Sequence, residues 1–249
     1  VVCQAQSQEA VEGKHVEVVL EHVVVLEHGI PDGPFAVVLE RVAEVLERMT
    51  LERPARVILV GGTNGKGSSV EMLRALLAGN GVTGTYTSPH VLRYNERIAV
   101  AGRPAADADI VAAFERVEAA RGDVVLTYFE FGTLAALAVF EAAGVDTAIL
   151  EVGLGGRLDA VNAVDPDASL ITNVSLDHCA WLGNDIETIA REKAGIMRPG
   201  KPVVFGSRER PEAIGRHAAD IGARLLAAGR DYDWELTGDS WAWRGAEHA

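Results

Sequence analysis

Val60-Gly-Gly-Thr-Asn-Gly-Lys-Gly-Ser68 is the stretch best equipped for chemistry. Its glycines let the backbone turn tightly and bring N–H groups close to anionic oxygens. Lys66 adds a mobile cation, and Ser68 or Ser69 adds a hydroxyl suited to a phosphate or a magnesium ion. The spacing departs from the standard phosphate loop: two residues separate Gly62 from Gly65-Lys66, and Gly67 follows the lysine. A solvated glycine-rich turn has the same composition. The apolar run before it and the helical pattern after it are the context that phosphate binding requires. Gly62, Thr63, Asn64, Gly65, Lys66, Gly67 and Ser68 are therefore the candidate phosphate-binding residues.

Three further side chains stand out. Glu151 ends an apolar run in Ile149-Leu-Glu-Val-Gly-Leu-Gly-Gly-Arg157, where a carboxylate at a strand's carboxyl end suits magnesium. His178 follows the next apolar run, in Leu176-Asp-His178, and its imidazole is a potential metal ligand. Lys193 lies in Ala190-Arg-Glu-Lys-Ala-Gly-Ile-Met197. By residue type alone, Glu151 equally fits an N-cap or an ion-pair partner. By the same measure His178 fits a surface histidine better than a ligand, and Lys193 fits an exposed lysine favoured by a helix C-terminus better than a functional one. The loop Thr87-Ser-Pro-His-Val-Leu-Arg-Tyr-Asn-Glu-Arg-Ile98 mixes aromatic, amide and basic groups and is long enough to be functional.

Positioning these residues requires a scaffold, and the hydrophobic pattern supplies one. Val38, Val42, Val45, Leu46 and Met49 predict a helix from Ala36, ended by Pro54. Strands are expected at 56–60, 83–87, 146–151, 169–173, 202–206 and 224–226. Helices are expected at 70–78, 107–120, 129–143, 186–194 and 212–221. Residues 88–106 read as one polar loop, and the segment from Trp234 reads as a hairpin anchored by tryptophans. The alternation implies an α/β fold, a doubly wound and mostly parallel sheet with a phosphate loop. Val16–Leu26 fits either a strand or a helix.

The formal charge of −13 argues against nucleic acid as a partner. Only Lys14, Lys66, Lys193 and Lys201 are lysines, so their positions carry information. No apolar run of 18 residues occurs, so no membrane span is expected. Cys3 and Cys179 form no disulfide framework, and no secretory leader pattern is seen, which points to the cytoplasm.

Seven segments in order resemble the dihydrofolate synthase/folylpolyglutamate synthase family of the Mur ligase superfamily. They are Gly62–Ser68, Tyr86–Ile98, Leu126–Leu137, Ile149–Asn162, Leu176–His178, Trp181–Gly183 and Arg191–Ile196. The resemblance implies a Mur ligase central-domain fold. It also implies an ATP- and Mg2+-dependent ligase that joins L-glutamate to dihydropteroate or a folate through an acyl phosphate. By that resemblance Gly62–Ser68 carry the phosphates. Ser88 and Glu151 hold one magnesium, Glu151 and His178 a second, and Lys193 is the carbamylated lysine. Lys66, Lys193 and His178 are the catalytic candidates. Pro89, His90, Tyr94, Asn95, Arg97 and Phe129 form the pterin surface, and a monomer is expected.

The resemblance has departures. Cys179 and Ala180 stand where the family carries Thr-Asp, and Val161 stands where it carries threonine. Residues 1–35 match poorly, so the expected organisation is an incomplete ATP-binding domain over 36–249, without the family's C-terminal glutamate-binding domain. Weak or absent turnover of the chain alone is expected on that account. The alternatives are another Mur-type amide ligase and a non-catalytic ATP-binding remnant.

Overall fold

The computed structural model describes residues 36–177 and 184–245. Val16–Leu26, His178 and both cysteines lie outside that range. Helix α1 (Ala36–Met49) leads into strand β1 (Arg56–Gly61), helix α2 (Lys66–Leu77) and strand β2 (Thr83–Tyr86). Strands β3 (Ile98–Val100) and β4 (Arg103–Pro104) come next, then helices α3 (Asp107–Arg121) and α4 (Tyr128–Ala142) and strand β5 (Thr147–Glu151). Strand β6 (Ala168–Ile171), helix α5 (Ile186–Ala194), strand β7 (Pro202–Phe205), helix α6 (Glu212–Ile221) and strand β8 (Arg224–Ala227) follow. A separate hairpin, β9 (Tyr232–Thr237) and β10 (Ser240–Gly245), closes the described chain.

The sheet runs β4-β3-β2-β5-β1-β6-β7-β8. From β2 to β8 every pairing is parallel; β3 and β4 extend the β2 edge antiparallel. This corrects the reading of 88–106 as one loop. Its Tyr94–Arg97 portion is a 3-10 turn, and Ile98–Val100 is a strand. Three residues are too few to display a period, so pairing with β2, not pattern, makes them a strand.

Alternation along the central strands separates two cores. Val57 and Leu59 of β1 join Ala148 and Leu150 of β5 in the larger core, with residues of α1 and α3 to α6. Val60 and Ile149 turn to the other face and meet Val70 of α2. Helices thus cover both faces, with α2 as the helix on the second face among the described residues. Val42 and Val45 are fully buried, as the helical stripe of α1 requires. Arg41 of α1 pairs with Glu130 of α4 at 2.7 Å. Glu130 also closes a capping box with Thr127 at the start of α4.

The register fixes the site. Val60 pairs with Glu151, Gly61 with Ile171 and Tyr86 with Leu150, so the exits of β1, β2, β5 and β6 share one edge. That is the edge where open parallel sheets bind ligands.

Candidate active site

The phosphate loop leaves β1 at Gly61 and enters α2 at Lys66. Gly65 caps α2 in the left-handed region, with φ of 80°. Gly62 has φ of 135°, and a Cβ there would lie 1.9 Å from Thr172 Oγ1. Both features require glycine. The N–H groups of Lys66, Gly67 and Ser68 lie in the first turn of α2, where the helix provides no acceptor. They join the positive end of the helix dipole in a ready site for an anion. Lys66 Nζ donates to Thr63 O at 3.2 Å within the same loop. Ser69 Oγ donates to Gly65 O at 2.8 Å, which leaves the exposed Ser68 as the available hydroxyl.

Glu151 faces this helix start. A Cβ on Gly67 would sit 3.4 Å from its Oε2. The same oxygen accepts the Ser88 N–H at 3.2 Å. Glu151 is 5% exposed, and burial raises its pKa, opposed by the Ser88 N–H and the Lys66 charge. It forms no ion pair among the described residues. A buried carboxylate of this kind, with no ion-pair partner among the described residues, is a hard oxygen donor of the type that suits magnesium. No cluster of three or more His, Cys, Asp or Glu suited to a metal occurs among the described residues. His178, the third expected ligand, lies outside them.

Lys193 is 4% exposed in the last turn of α5, not solvated as its type alone suggested. Its Nζ donates to Gly62 O at 3.0 Å. Burial and the nearby Lys66 charge lower its pKa to about 8, against the pull of Asp177.

The loop from Thr87 to Ile98 is organised around two side chains. The Glu96 carboxylate accepts the N–H groups of Val91, Leu92 and Arg93 at 2.7, 3.0 and 2.7 Å. Those bonds hold its pKa below the usual carboxylate range. Arg97 is buried, donates from Nε to His90 Nδ1 at 2.8 Å, and lies over the rings of Tyr128 and Tyr94 at 5.0 and 5.6 Å. It forms no ion pair among the described residues, which is unusual for a buried guanidinium. Pro89 is exposed. Phe129 lies 5.8 Å from the Tyr86 ring and packs on Gly153, where a Cβ would meet its ring at 2.7 Å. Gly132 leaves room for the hydroxyls of Tyr94 and Tyr86, 2.8 and 3.0 Å from where its Cβ would stand. Asn95 spends its amide on Ala105 O and Asp107, tying the loop to α3.

A family model, the Mur ligase middle domain, matches residues 60–219. The chain belongs to the Mur ligase family. The Escherichia coli (strain K12) dihydrofolate synthase/folylpolyglutamate synthase is 47% identical over 210 residues, 84% of this chain and 50% of that protein. The solved structure of E. coli FolC in complex with DHPP and ADP superposes with a TM-score of 0.86 at 43% identity, covering 92% of this chain and 55% of that one. A bifunctional folylpolyglutamate synthase/dihydrofolate synthase from Yersinia pestis, complexed with AMPPNP and Mn ion, gives 0.84 at 44% identity, covering 92% and 56%. The chain spans about half the length of the curated relatives it matches.

Sequence reasoning missed several residues of this Mur ligase domain. Asp159 is buried, accepts the N–H groups of Leu154 and Val161 at 2.8 and 3.0 Å, and has its pKa raised by burial to about 6. Thr172 and Asn173, at the exit of β6, bond the phosphate loop. The readable signal was an apolar strand ending in polar residues; nothing local indicates their partners. Val161, where the resemblance leads one to expect threonine, is fully buried.

Proposed function

We propose that this Mur ligase chain is the nucleotide-binding half of an ATP-dependent ligase that adds L-glutamate to dihydropteroate or a folate. The position of Glu151 carries the reading. One buried carboxylate faces the anion-binding helix start at Gly67 and bonds the loop 87–98 at Ser88. A carboxylic acid acceptor and a nucleotide triphosphate would therefore meet at this residue. DHPP and ADP bound together in the E. coli structure, and AMPPNP with Mn ion in the Yersinia pestis one, support this reading.

Gly65–Ser68 and Lys66 would hold the phosphates, and Ser88, Glu151 and His178 the magnesium. A divalent cation held there supplies charge neutralisation at the phosphates. Arg97 would bind an anionic group of the acceptor; in support, its buried charge lacks a carboxylate partner among the described residues. Phe129 and Tyr94 offer ring surfaces to a flat heterocycle. The pKa of Lys193 leaves part of the amine neutral near pH 8, so it can add CO2 to give a carbamate and a proton. A cytoplasmic monomer is part of this proposal. No helix among the described residues is long and apolar enough to cross a membrane.

Calorimetric titration with Mg2+–ATP, with dihydropteroate and folates, and with UDP-sugar peptides tests the assignment. Nucleotide and pteroate binding, with no binding of UDP-sugar peptides, is expected. Labelled L-glutamate should enter dihydropteroate or tetrahydrofolate when the second half of the E. coli relative is added. Absence of pteroate and folate binding would refute the acceptor assignment. Unchanged ATP affinity in Lys66→Ala would refute the phosphate loop.

A further inference from the structure

We propose that Asn173 is a positioning residue that sets which amides of the phosphate loop face the ligand. The inference rests on the phosphate-loop reading above. Between β1 and α2 the loop has no regular pairing, yet its backbone polar groups need partners. The exit of β6 supplies them. Asn173 O accepts the Thr63 N–H at 3.0 Å, and Asn173 Oδ1 accepts the Asn64 N–H at 3.1 Å. Asn173 Nδ2 donates to Asn64 O at 3.1 Å, and Thr172 Oγ1 donates to the same carbonyl at 2.7 Å. Ser175 N–H donates to Thr63 Oγ1 at 3.0 Å.

A side-chain amide holds a donor and an acceptor side by side, as a peptide group does. Asn173 therefore pairs with both backbone groups of Asn64, as a neighbouring strand would. Two consequences follow. The N–H groups of Thr63 and Asn64 are consumed, so the amides left for an anion are those from Gly65 to Ser68. The path of the chain toward Asp177 is also tied to the loop's shape, because Thr172 to Ser175 form the tie. A preorganised loop avoids paying ordering entropy on binding.

Asparagine is the side chain this position needs. Leucine has similar volume but neither donor nor acceptor. Aspartate keeps the acceptor for the Asn64 N–H, loses the donor, and adds negative charge beside the phosphate site. The two replacements should thus rank differently in two measurements on the 249-residue chain. In hydrogen exchange at Asn64, whose N–H the side chain accepts, protection should fall from wild type to Asn173→Asp to Asn173→Leu; the Thr63 N–H, held by the Asn173 main-chain carbonyl, is the internal reference. In Mg2+–ATP affinity, Asn173→Leu should lose about tenfold, and Asn173→Asp should lose more. A residue needed only for fold stability would give one common order.

Thr172→Val, which removes one hydroxyl of matching shape, serves if Asn173→Leu does not fold. It should speed exchange and weaken binding by about threefold. Wild-type exchange and wild-type affinity in Asn173→Leu, or in Thr172→Val where the leucine variant does not fold, would overturn the proposal. Lys66→Ala separates the two readings. If Lys66→Ala binds ATP as wild type does, the phosphate-loop reading fails, while the exchange order still decides the tie between Asn173 and Asn64.

Discussion

Lys193 Nζ lies 3.0 Å from the Gly62 carbonyl oxygen, so the last turn of α5 grips the first residue of the phosphate loop. The two residues are separated by 131 positions. The contact buries an amine beside a second lysine, which is what depresses its pKa.

Lys193 should accordingly behave as a reactive amine. Below about pH 8 it is protonated, and above that it is neutral. Competitive amine labelling followed by mass spectrometry should give a midpoint near pH 8 for Lys193, against about 10.4 for an ordinary lysine. Under labelled CO2, a carbamate carbon resonance should appear and should be missing in Lys193→Ala. A midpoint above pH 10 would contradict the buried geometry.

Arg97→Lys keeps the charge and loses the planar group that lies over Tyr94 and Tyr128. It also loses the Nε bond to His90. Affinity for dihydropteroate should fall by about tenfold or more, since Arg and Lys are not interchangeable at a stacked site. Mg2+–ATP affinity should stay within about twofold. Parallel titrations of both ligands check this.

Gly132→Ala pits two terms against each other. Alanine gains about 1 kcal/mol of helix propensity. Its methyl would push the hydroxyls of Tyr94 and Tyr86 out of place, an overpacking cost of about 1–3 kcal/mol. The net loss of stability should be small, and the loss of pteroate affinity larger, with nucleotide binding unchanged. Denaturant melts and ligand titration on one preparation distinguish these effects.

Asp167 provides a pH test remote from the site. Burial works against its ionisation, but the bonds from Arg53, the Val57 N–H and Lys201 outweigh that and hold its pKa at about 2. A carboxylate with a depressed pKa stabilises the fold above its unfolded pKa and loses that contribution as pH falls through the folded one. Asp167→Asn should therefore lower Tm at pH 7, and the gap from wild type should close between about pH 4 and pH 2. A gap independent of pH would show that charge is not the cause.

The strand–turn–helix around Gly62–Ser68, most of the strands and the amphipathic α1 were legible because each depends on local spacing. Glycine content, an apolar run and a lysine describe an anion site without reference to the rest of the chain. The scarcity of lysine made four positions informative, and the motif Arg191–Ile196 drew attention to Lys193 among them. Family membership was legible for the same reason, since the motifs are short and ordered.

The tertiary structure decided what those residues touch. Strand order places the exits of β1, β2, β5 and β6 together, and only then does Glu151 meet both Gly67 and Ser88. Asn64 and Asn173 stand 109 positions apart, so no periodicity could pair them. Ile98–Val100 becomes a strand only because β2 offers an open edge. Burial made the difference for Lys193: its side chain is unremarkable by type, and its chemistry is set by the groups folded around it.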